Sequence, residues 1–596
     1  MSTKTQFDVV VIGSGAGGAP IAQEMVLAGK SVLVLEKGPL LRYQHEHPRG
    51  LSDFKRDELF ATGAEKRLQL EVSNKGRSYY SSHIEPDLND EPHIYRTSDG
   101  KDEATIEGYT AQAVGGGTHL YGGVSLRYSE QDFRLRSFNE GRAARLRNDP
   151  NGDVVREARD WPISYRDLEP YYCKAERLVG INGTSQGQAK KFSQDHYQKP
   201  LPPNPISRYV EQGMDALGMR RYRTPLAVIT EDHAPSGRKA YDPRTAFVNR
   251  YGDPLGLKSS TWACLLGPIA QRPNFELRAN CTVIQLECQG DRVGRVHYLD
   301  PAGEPRTVEG KLVVVACSAI ESVRLLMLSA EQDAEFGRRI HDSGLLGRYF
   351  LTHCFGGAEI RLAEAEARFD KSISLDSDWA TDFCANPEFL DANGLWAGGA
   401  LYNNTSDQAL PLSLARTHRS SDLDTTWDGF INDLNLVGEG LLDFVRRDLG
   451  KRLSMSYMAN QVPMRDNRIE LHPSVRDKWG RKVAYILKGW HSHDFAVMET
   501  LAAQCRAVFE RSGASVDQIE SGSASGVNRI ANHILGGARF GTDPKDSVLD
   551  PNCRAWQFDN LYVTDGSFMP TSGGANPTLT IQANAFRVAD HLNTRS

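Results

Sequence analysis

Paired cysteines are the first thing this chain lacks. Its nine cysteines, Cys173, Cys264, Cys281, Cys288, Cys317, Cys354, Cys384, Cys505 and Cys553, are odd in number and include no CxxC spacing. That argues against a disulfide framework and a cysteine zinc site, and leaves free thiols in a reducing compartment as the expectation. Long apolar runs are missing too. Leu312 to Cys317 is among the longest, far short of the roughly 18 residues of a membrane-spanning helix. There is no surplus of positive charge: 70 Lys and Arg stand against 76 Asp and Glu, a net charge of −6. Nucleic acid and anionic membrane surfaces are therefore not expected partners. No internal repeat, heptad run, low-complexity tract, haem-attachment motif or iron–sulfur spacing occurs. Only seven residues precede the first predicted strand, too few for the three regions of a signal peptide. A cytoplasmic location is the expectation, with export bound to a signal-bearing partner left open.

What is present is length and glycine. At 596 residues the chain exceeds the size at which one core keeps growing, so two or more domains are expected, with room to bury a whole dinucleotide. Its 54 glycines point to close backbone approaches. Residues 8 to 13, Asp-Val-Val-Val-Ile-Gly, predict a strand buried on both faces of a parallel sheet. Ile21, Met25, Val26 and Ala28 recur at helical spacing and predict a helix over about 17 to 28, with Pro20 in its first turn and Gly29 as its stop. A second strand, Ser31 to Leu35, ends at Glu36. Within this unit Gly13-Ser14-Gly15-Ala16-Gly17-Gly18 follows the GxGxxG pattern. The glycines let the backbone approach a pyrophosphate, and the following helix points its N-terminus at the negative charge. Glu36 stands where a carboxylate accepts from ribose hydroxyls. The pattern argues for a dinucleotide and leaves NAD and FAD undistinguished.

Residues 42 to 108 lose periodicity and are read as an excursion within the first domain segment, 1–190. A second glycine-rich turn spans Ala113 to Gly123, and Trp161-Pro162-Ile163-Ser164-Tyr165 opens an amphipathic stretch ending near Leu178. The proline-rich Pro200 to Pro205 lies in a linker or first substrate-domain segment, 191–265. Strands are predicted over 274–285 and 311–316 and a helix over 320–329, within a segment 266–355 that returns to the first domain. Segment 356–530, with longer polar loops, is read as a substrate-binding domain on a largely antiparallel sheet. Segment 531–596 returns again to the first domain.

The C-terminal elements carry a resemblance. His533 to Gly541 (HILGGARFG), Asp543-Pro544, Ser547 to Asp550 (SVLD), Asn560 to Ser567 (NLYVTDGS), Pro570-Thr571 and Asn576 to Thr580 (NPTLT) together resemble the C-terminal signature of the glucose-methanol-choline (GMC) oxidoreductases. The N-terminal unit and the Gly115 to Gly123 turn share the resemblance; the middle third matches loosely. It implies a Rossmann-like α/β FAD-binding domain built from both chain ends, with an α+β substrate domain between. It also implies FAD as the cofactor. His533 then takes the position of the catalytic histidine, and Asn576 that of its His or Asn partner. A neutral imidazole is suited to take the proton of a substrate hydroxyl as hydride passes to flavin N5, and an amide N–H to hold the developing alkoxide.

By the same resemblance Asp565 and Gly566 face the ribityl and diphosphate region and Val283 offers a backbone contact to adenine. Pro577 and Thr578 open a helix towards the pyrimidine edge of the flavin, and Lys37 joins Glu36 at the cofactor. Gly116, Gly117, Thr118, His119, Tyr121 and Gly122 line the flavin. Relatives that attach FAD covalently place the histidine four residues after the Gly-Gly pair, where Leu120 stands here, so noncovalent FAD is expected. His353, in Leu346-Gly-Arg-Tyr-Phe-Leu-Thr-His353, fits a family motif and is assigned to packing. His491 and His493 are read as polar surface, and no metal site is assigned. The stretches Trp161 to Tyr165, Leu168 to Tyr172 and Ala175 to Gly180 are similar to the sugar-oxidising branch, which implies a sugar or glycoside substrate. Oxygen, a quinone or a partner redox protein serves as electron acceptor. A non-sugar alcohol or sterol, a noncatalytic flavin-binding subunit, a nicotinamide-dependent dehydrogenase and a homo-oligomer stay open.

Overall fold

A computed structural model of the chain describes residues 4–50, 52–53, 69–72, 76–79, 91–105, 111–240, 253–363, 370, 375–405, 437–448, 451–521 and 533–595. The excursion read over 42–108 is thus described only in pieces, and residues 406–436 of the proposed substrate domain lie outside the described residues.

Both ends of the chain and a middle segment build one seven-stranded sheet. Strand Gln6–Ile12 lies between Val32–Leu35 and Pro305–Val315, with Phe275–Arg278 beyond the first neighbour and Leu561–Val563 on the second, all parallel. Val9, Val10, Val11, Val32, Leu33, Val34 and Val313 to Val315 have no exposed surface. This double-sided burial is what unbroken β-branched runs predict for a parallel sheet. Arg292–Leu299 and Thr282–Gln289 extend the sheet antiparallel from Pro305–Val315.

The strand expected over 274–285 is two strands. Asn280 at φ 55° breaks it, and the amides of Asn280 and Cys281 donate to the carbonyls of Gly38 and Glu36 instead of continuing a ladder. Helix Ala19–Leu27 packs against the last helix, Thr578–Arg595, and that helix against Tyr165–Val179. Tyr165–Val179 starts in a Ser164–Asp167 capping box, where the sequence predicts an amphipathic element.

The second large sheet has six strands, in the order Val516–Ser521, His353–Leu362, Arg452–Asn460, Gly399–Asn404, Trp379–Thr381 and Arg221–Arg223, all antiparallel. Alternation along a strand divides its faces. Ala400, Tyr402 and Met458 join the core of the parallel sheet. Leu401, Tyr457 and Ala459 pack into a separate core with helix Ser492–Glu510. The sheet therefore presents one face to the parallel sheet's core. A smaller sheet joins Arg468–Arg476 and Lys482–Leu487 to His93–Arg96 and Asp102–Thr105, a pairing between distant segments that no periodicity announces.

Ser318 connects strand Pro305–Val315 to helix Ala319–Gln332 with φ 74° and ψ 153°. This backbone region suits glycine and strains other residues by about 1–3 kcal/mol. Its hydroxyl makes no capping bond, whereas Ser322 Oγ accepts from the Cys317 amide. Ser318→Gly is expected to raise unfolding stability by about 1 kcal/mol, read as a higher denaturation midpoint; an unchanged or lower midpoint contradicts the strain.

Candidate active site

The first glycine turn is closed on three sides by backbone. A Cβ on Gly13 (φ 97°) would lie 2.3 Å from the Ala316 carbonyl oxygen, one on Gly17 2.6 Å from that of Thr564, and one on Gly18 2.0 Å from that of Gly13. Gly15 is different: its nearest neighbour would be Gly116 Cα at 3.8 Å, and Gly13, Gly15 and Ala16 keep exposed surface. The turn is thus fixed from behind and open in front.

Glu36 comes up beside it. Its Oε2 accepts from the Ser14 amide at 3.1 Å and hydroxyl at 2.6 Å, and its Oε1 from the Gly38 amide at 3.0 Å. Burial raises this carboxyl above its ordinary range, against the pull of those bonds. The Lys37 side chain is paired with acids. Burial works against its charge, but Glu321 and Glu91 outweigh that and hold it protonated; the ammonium lies 3.1 Å from Glu91 and 3.3 Å from Glu321. Two carboxylates distant in sequence thus engage the Lys37 side chain. Val283 gives its carbonyl to Arg481 at 3.3 Å and pairs with Tyr298 in the sheet.

The second glycine turn faces the first. Gly115 (φ 108°) and Gly116 (φ 56°) lead into a single helical turn, Gly116–His119. The Gly115 amide donates to Ser14 Oγ at 2.9 Å, and Thr118 Oγ1 donates to the Gly115 carbonyl at 2.6 Å. Gly117 is exposed, with no atom near where its Cβ would be. The His119 ring folds back onto its own turn. Its Nε2 lies 2.7 Å from the Val114 carbonyl oxygen and donates to it; burial pushes the imidazole down to about 4, so the ring is neutral at pH 7. Tyr121 donates its hydroxyl to the Ser259 carbonyl at 2.8 Å, and the Gly122 backbone packs against the Asp376 carboxylate.

Residues without a sequence signal hold the two turns together. Thr261 Oγ1 lies 2.8 Å from the Ser14 carbonyl and 3.1 Å from that of Gly115, and its amide donates to Thr118 Oγ1. Lys258 Nζ donates to the carbonyls of His119 and Tyr121.

From the other chain end, strand Leu561–Val563 delivers Asp565 behind Gly17. The Asp565 carboxylate accepts from the amide and hydroxyl of Ser567 at 2.9 and 2.6 Å and from the Ser322 hydroxyl; burial raises it. Gly566 starts the short turn Gly566–Phe568. Buried residues 571–577 then lead to helix Thr578–Arg595, whose Ile581 amide bonds the Pro577 carbonyl.

Asn576 is buried, and its Oδ1 has no hydrogen-bond partner among the described residues. His533 is half-buried, yet protein surrounds it closely enough that burial pushes the imidazole down to about 4. Its Nδ1 lies 3.2 Å from the Met458 sulfur. Sulfur can only accept, so a proton on Nδ1 faces it and the Nε2 lone pair is the basic one. His353, expected to serve packing, stands edge to face with His533 at 5.0 Å between ring centroids. It has no exposed surface, and burial, then His533, hold it well below the ordinary histidine range. The backbone of Ser572, Gly573 and Ala575 lies beside the His353 ring, whose two nitrogens have no hydrogen-bond partner among the described residues, so the ring packs between His533 and the segment carrying Asn576.

The reading of His491 and His493 as surface is corrected for His493. It is fully buried, accepting the Trp396 amide at 3.1 Å and bonding the Arg147 carbonyl, while His491 caps helix Ser492–Glu510 with Asp494. His491 also lies near Asp149 and Asp153, but the Asp149 carboxylate is already used by the Asp153 and Val154 amides.

Comparison with known proteins follows the same lines. Two family models described as GMC oxidoreductase match residues 162–348 and 463–585. Paromamine 6'-oxidase of Streptomyces fradiae is 30% identical over 98% of this chain and 90% of its own. Fructose dehydrogenase large subunit of Gluconobacter japonicus is 24% identical over 99% of each chain. Among solved structures, pyridoxine 4-oxidase from Mesorbium loti aligns over 98% of both chains with a TM-score of 0.57 and 14% identity, a likeness of fold.

Proposed function

Because this chain belongs to the GMC oxidoreductase family, we propose that it oxidises a hydroxyl group of a sugar or amino sugar, with His533 as base and Asn576 as its partner. FAD is the cofactor, and the family acts on CH–OH groups. The described residues fit FAD: a first glycine turn closed behind by backbone and open in front, a second with Gly117 exposed, a carboxylate at the end of the second strand, and an orphaned amide oxygen on Asn576. Bound FAD supplies the hydride acceptor. The chain's own part is to take the hydroxyl proton on His533 Nε2 and to steady the oxygen left behind with the Asn576 amide N–H.

The observation that carries this reading is the imidazole pair. His533 has its Nδ1 against Met458 and its ring against His353, which lies beside the segment ending in Asn576. We read 1–190, 266–355 and 531–596 as the FAD-binding domain and 191–265 with 356–530 as the substrate-binding domain. The sugar assignment draws on relatives named for paromamine and fructose. Oxygen, a quinone or a redox protein takes the electrons onward; among the described residues no helix is long and apolar enough to cross a membrane.

The test is anaerobic mixing of the purified yellow protein with sugars, amino sugars, aliphatic alcohols and sterols. A sugar or amino sugar is expected to bleach it fastest, and a panel in which no hydroxyl compound bleaches it overturns the reading. Admitting air or a quinone dye afterwards separates oxidase from dehydrogenase. His119 Nε2 is committed to the Val114 carbonyl, so FAD is held noncovalently in this reading. Acid precipitation is expected to release all yellow colour into the supernatant; colour kept in the pellet contradicts it.

A further inference from the structure

The segment carrying Asn576 is fixed from the antiparallel sheet and from the irregular stretches that precede helix Tyr165–Val179. Trp161 Nε1 donates to Thr571 Oγ1 at 2.7 Å, the Tyr128 hydroxyl to the Ser572 carbonyl at 2.5 Å, the Gln461 amide to Ser572 Oγ at 2.9 Å, and the Ala400 amide to the Gly574 carbonyl at 2.8 Å. At its centre Gly573 has φ 76°, and a Cβ there would lie 2.1 Å from the Tyr128 ring. Its amide donates to Asn460 Oδ1 at 2.7 Å. Asn460, the last residue of its strand and without exposed surface, donates its Nδ2 to Asp132 Oδ1 at 2.8 Å. Asp132, also buried, accepts on its other oxygen from the amide and hydroxyl of Ser129, both at 2.8 Å.

This chain of bonds has one sense. A carboxylate can only accept, so it orients the Asn460 amide, and the Asn460 oxygen must then meet the Gly573 N–H. Turning the amide over would set donor against donor and oxygen against carboxylate. Asn460 touches neither His533 nor Asn576 through a hydrogen bond. It fixes the backbone three residues before Asn576, whose own Oδ1 has no described partner to hold it. We propose that Asn460, oriented by Asp132, is a positioning residue that sets where the Asn576 amide stands relative to His533. This rests on the roles given above to His533 and Asn576. A misplacement of about 1 Å in such a group costs up to about a hundredfold in rate.

The arrangement can be broken and remade without changing its shape. Asn460→Asp keeps an acceptor for Gly573 but sets two carboxylates face to face, which hydrogen-bond only while they share a proton. In Asp132→Asn with Asn460→Asp, the amide introduced at 132 accepts from Ser129 and donates to the carboxylate introduced at 460, restoring every bond with the polarity exchanged. The titratable neighbours are Lys190 and Tyr128 around Asp132 and His353 opposite Asn460 in the sheet; both variants keep all three.

The experiment is the pH profile of kcat and kcat/KM for FAD-loaded enzyme with the compound that bleaches it fastest. Asn460→Asp is expected to keep FAD and lose kcat at least about tenfold at neutral pH, with KM moving less than about threefold. It should also show a fall in kcat towards high pH that the parent lacks. The exchanged variant is expected to recover kcat to within about threefold and to lose that fall. Parent-like kcat and pH profile in Asn460→Asp overturn the proposal, as does failure of the exchange to recover both. If Asn460→Asp holds no FAD, the exchanged variant decides alone: loaded with parent-like kcat it supports the proposal, while loaded but slow, or unable to fold, it overturns it. The roles of His533 and Asn576 fail separately, by full activity in His533→Ala.

Discussion

His533→Ala is expected to keep FAD bound and to slow anaerobic bleaching by the best substrate at least about a hundredfold, the contribution of a positioned base. FAD retention follows from where the residue stands. His533 contacts Met458 and His353, whereas the cofactor cradle is backbone at Gly13 to Gly18 and at Thr564–Asp565. Rate loss with a full complement of FAD therefore separates chemistry from binding. The pH profile gives an independent reading. Burial depresses this imidazole from 6.5 to about 4, so its neutral, proton-accepting form is present above that value and lost below it. The acid limb of kcat/KM in the parent enzyme is expected below the ordinary histidine range and is expected to vanish in the variant. The sign for stability is the same: a depressed pKa contributes stability present above the unfolded value and lost as pH falls through the folded one. Unchanged bleaching in His533→Ala removes the residue from the chemistry.

The parts of this site that could be read from sequence are those written within a few residues. Gly13 to Gly18 sits between a β-branched run and a helix, and the structure has strand Gln6–Ile12 and helix Ala19–Leu27 around it. The helix expected over 320–329 is Ala319–Gln332. The parts that could not be read arise from pairing at a distance. Met458 and Asn460 lie in a strand with no motif, and they reach the site because that strand pairs with His353–Leu362, setting His353 opposite Asn460 and Phe355 opposite Met458. Thr261 and Lys258 sit in an irregular stretch and matter because their polar groups bind backbone carbonyls of turns more than a hundred residues earlier. Lys37 shows the converse. Its neighbour Glu36 suggests a shared task, but Glu91 and Glu321 are brought in by separate segments and take its charge. Local patterns announce backbone shape, while side-chain partners in a split site depend on which strands become neighbours.

Gly17→Ala is expected to yield protein purified with less than about a tenth of its FAD, because the added Cβ strikes backbone rather than a yielding side chain. It would stand 2.6 Å from the Thr564 carbonyl oxygen and 2.8 Å from the Asp565 amide nitrogen, distances at which something must move. Neither side can retreat cheaply. Thr564 Oγ1 donates to the Gly17 carbonyl at 2.9 Å, and the Thr564 amide donates to the Val315 carbonyl in the parallel sheet. Asp565 is held by Ser567 and Ser322. The glycine turn must shift instead, and Gly13 and Gly18, which leave no room for a Cβ against backbone oxygens of their own, shift with it away from the pyrophosphate position. Overpacking of this kind costs about 1–3 kcal/mol in folding stability, so a lower denaturation midpoint should accompany the loss of colour. Gly141→Ala is the control, since no atom stands near its Cβ position; it should purify as yellow as the parent. A fully loaded Gly17→Ala variant would mean that the contact between the two chain ends yields to one methyl group, and that FAD binding does not depend on the fit between turn and C-terminal strand.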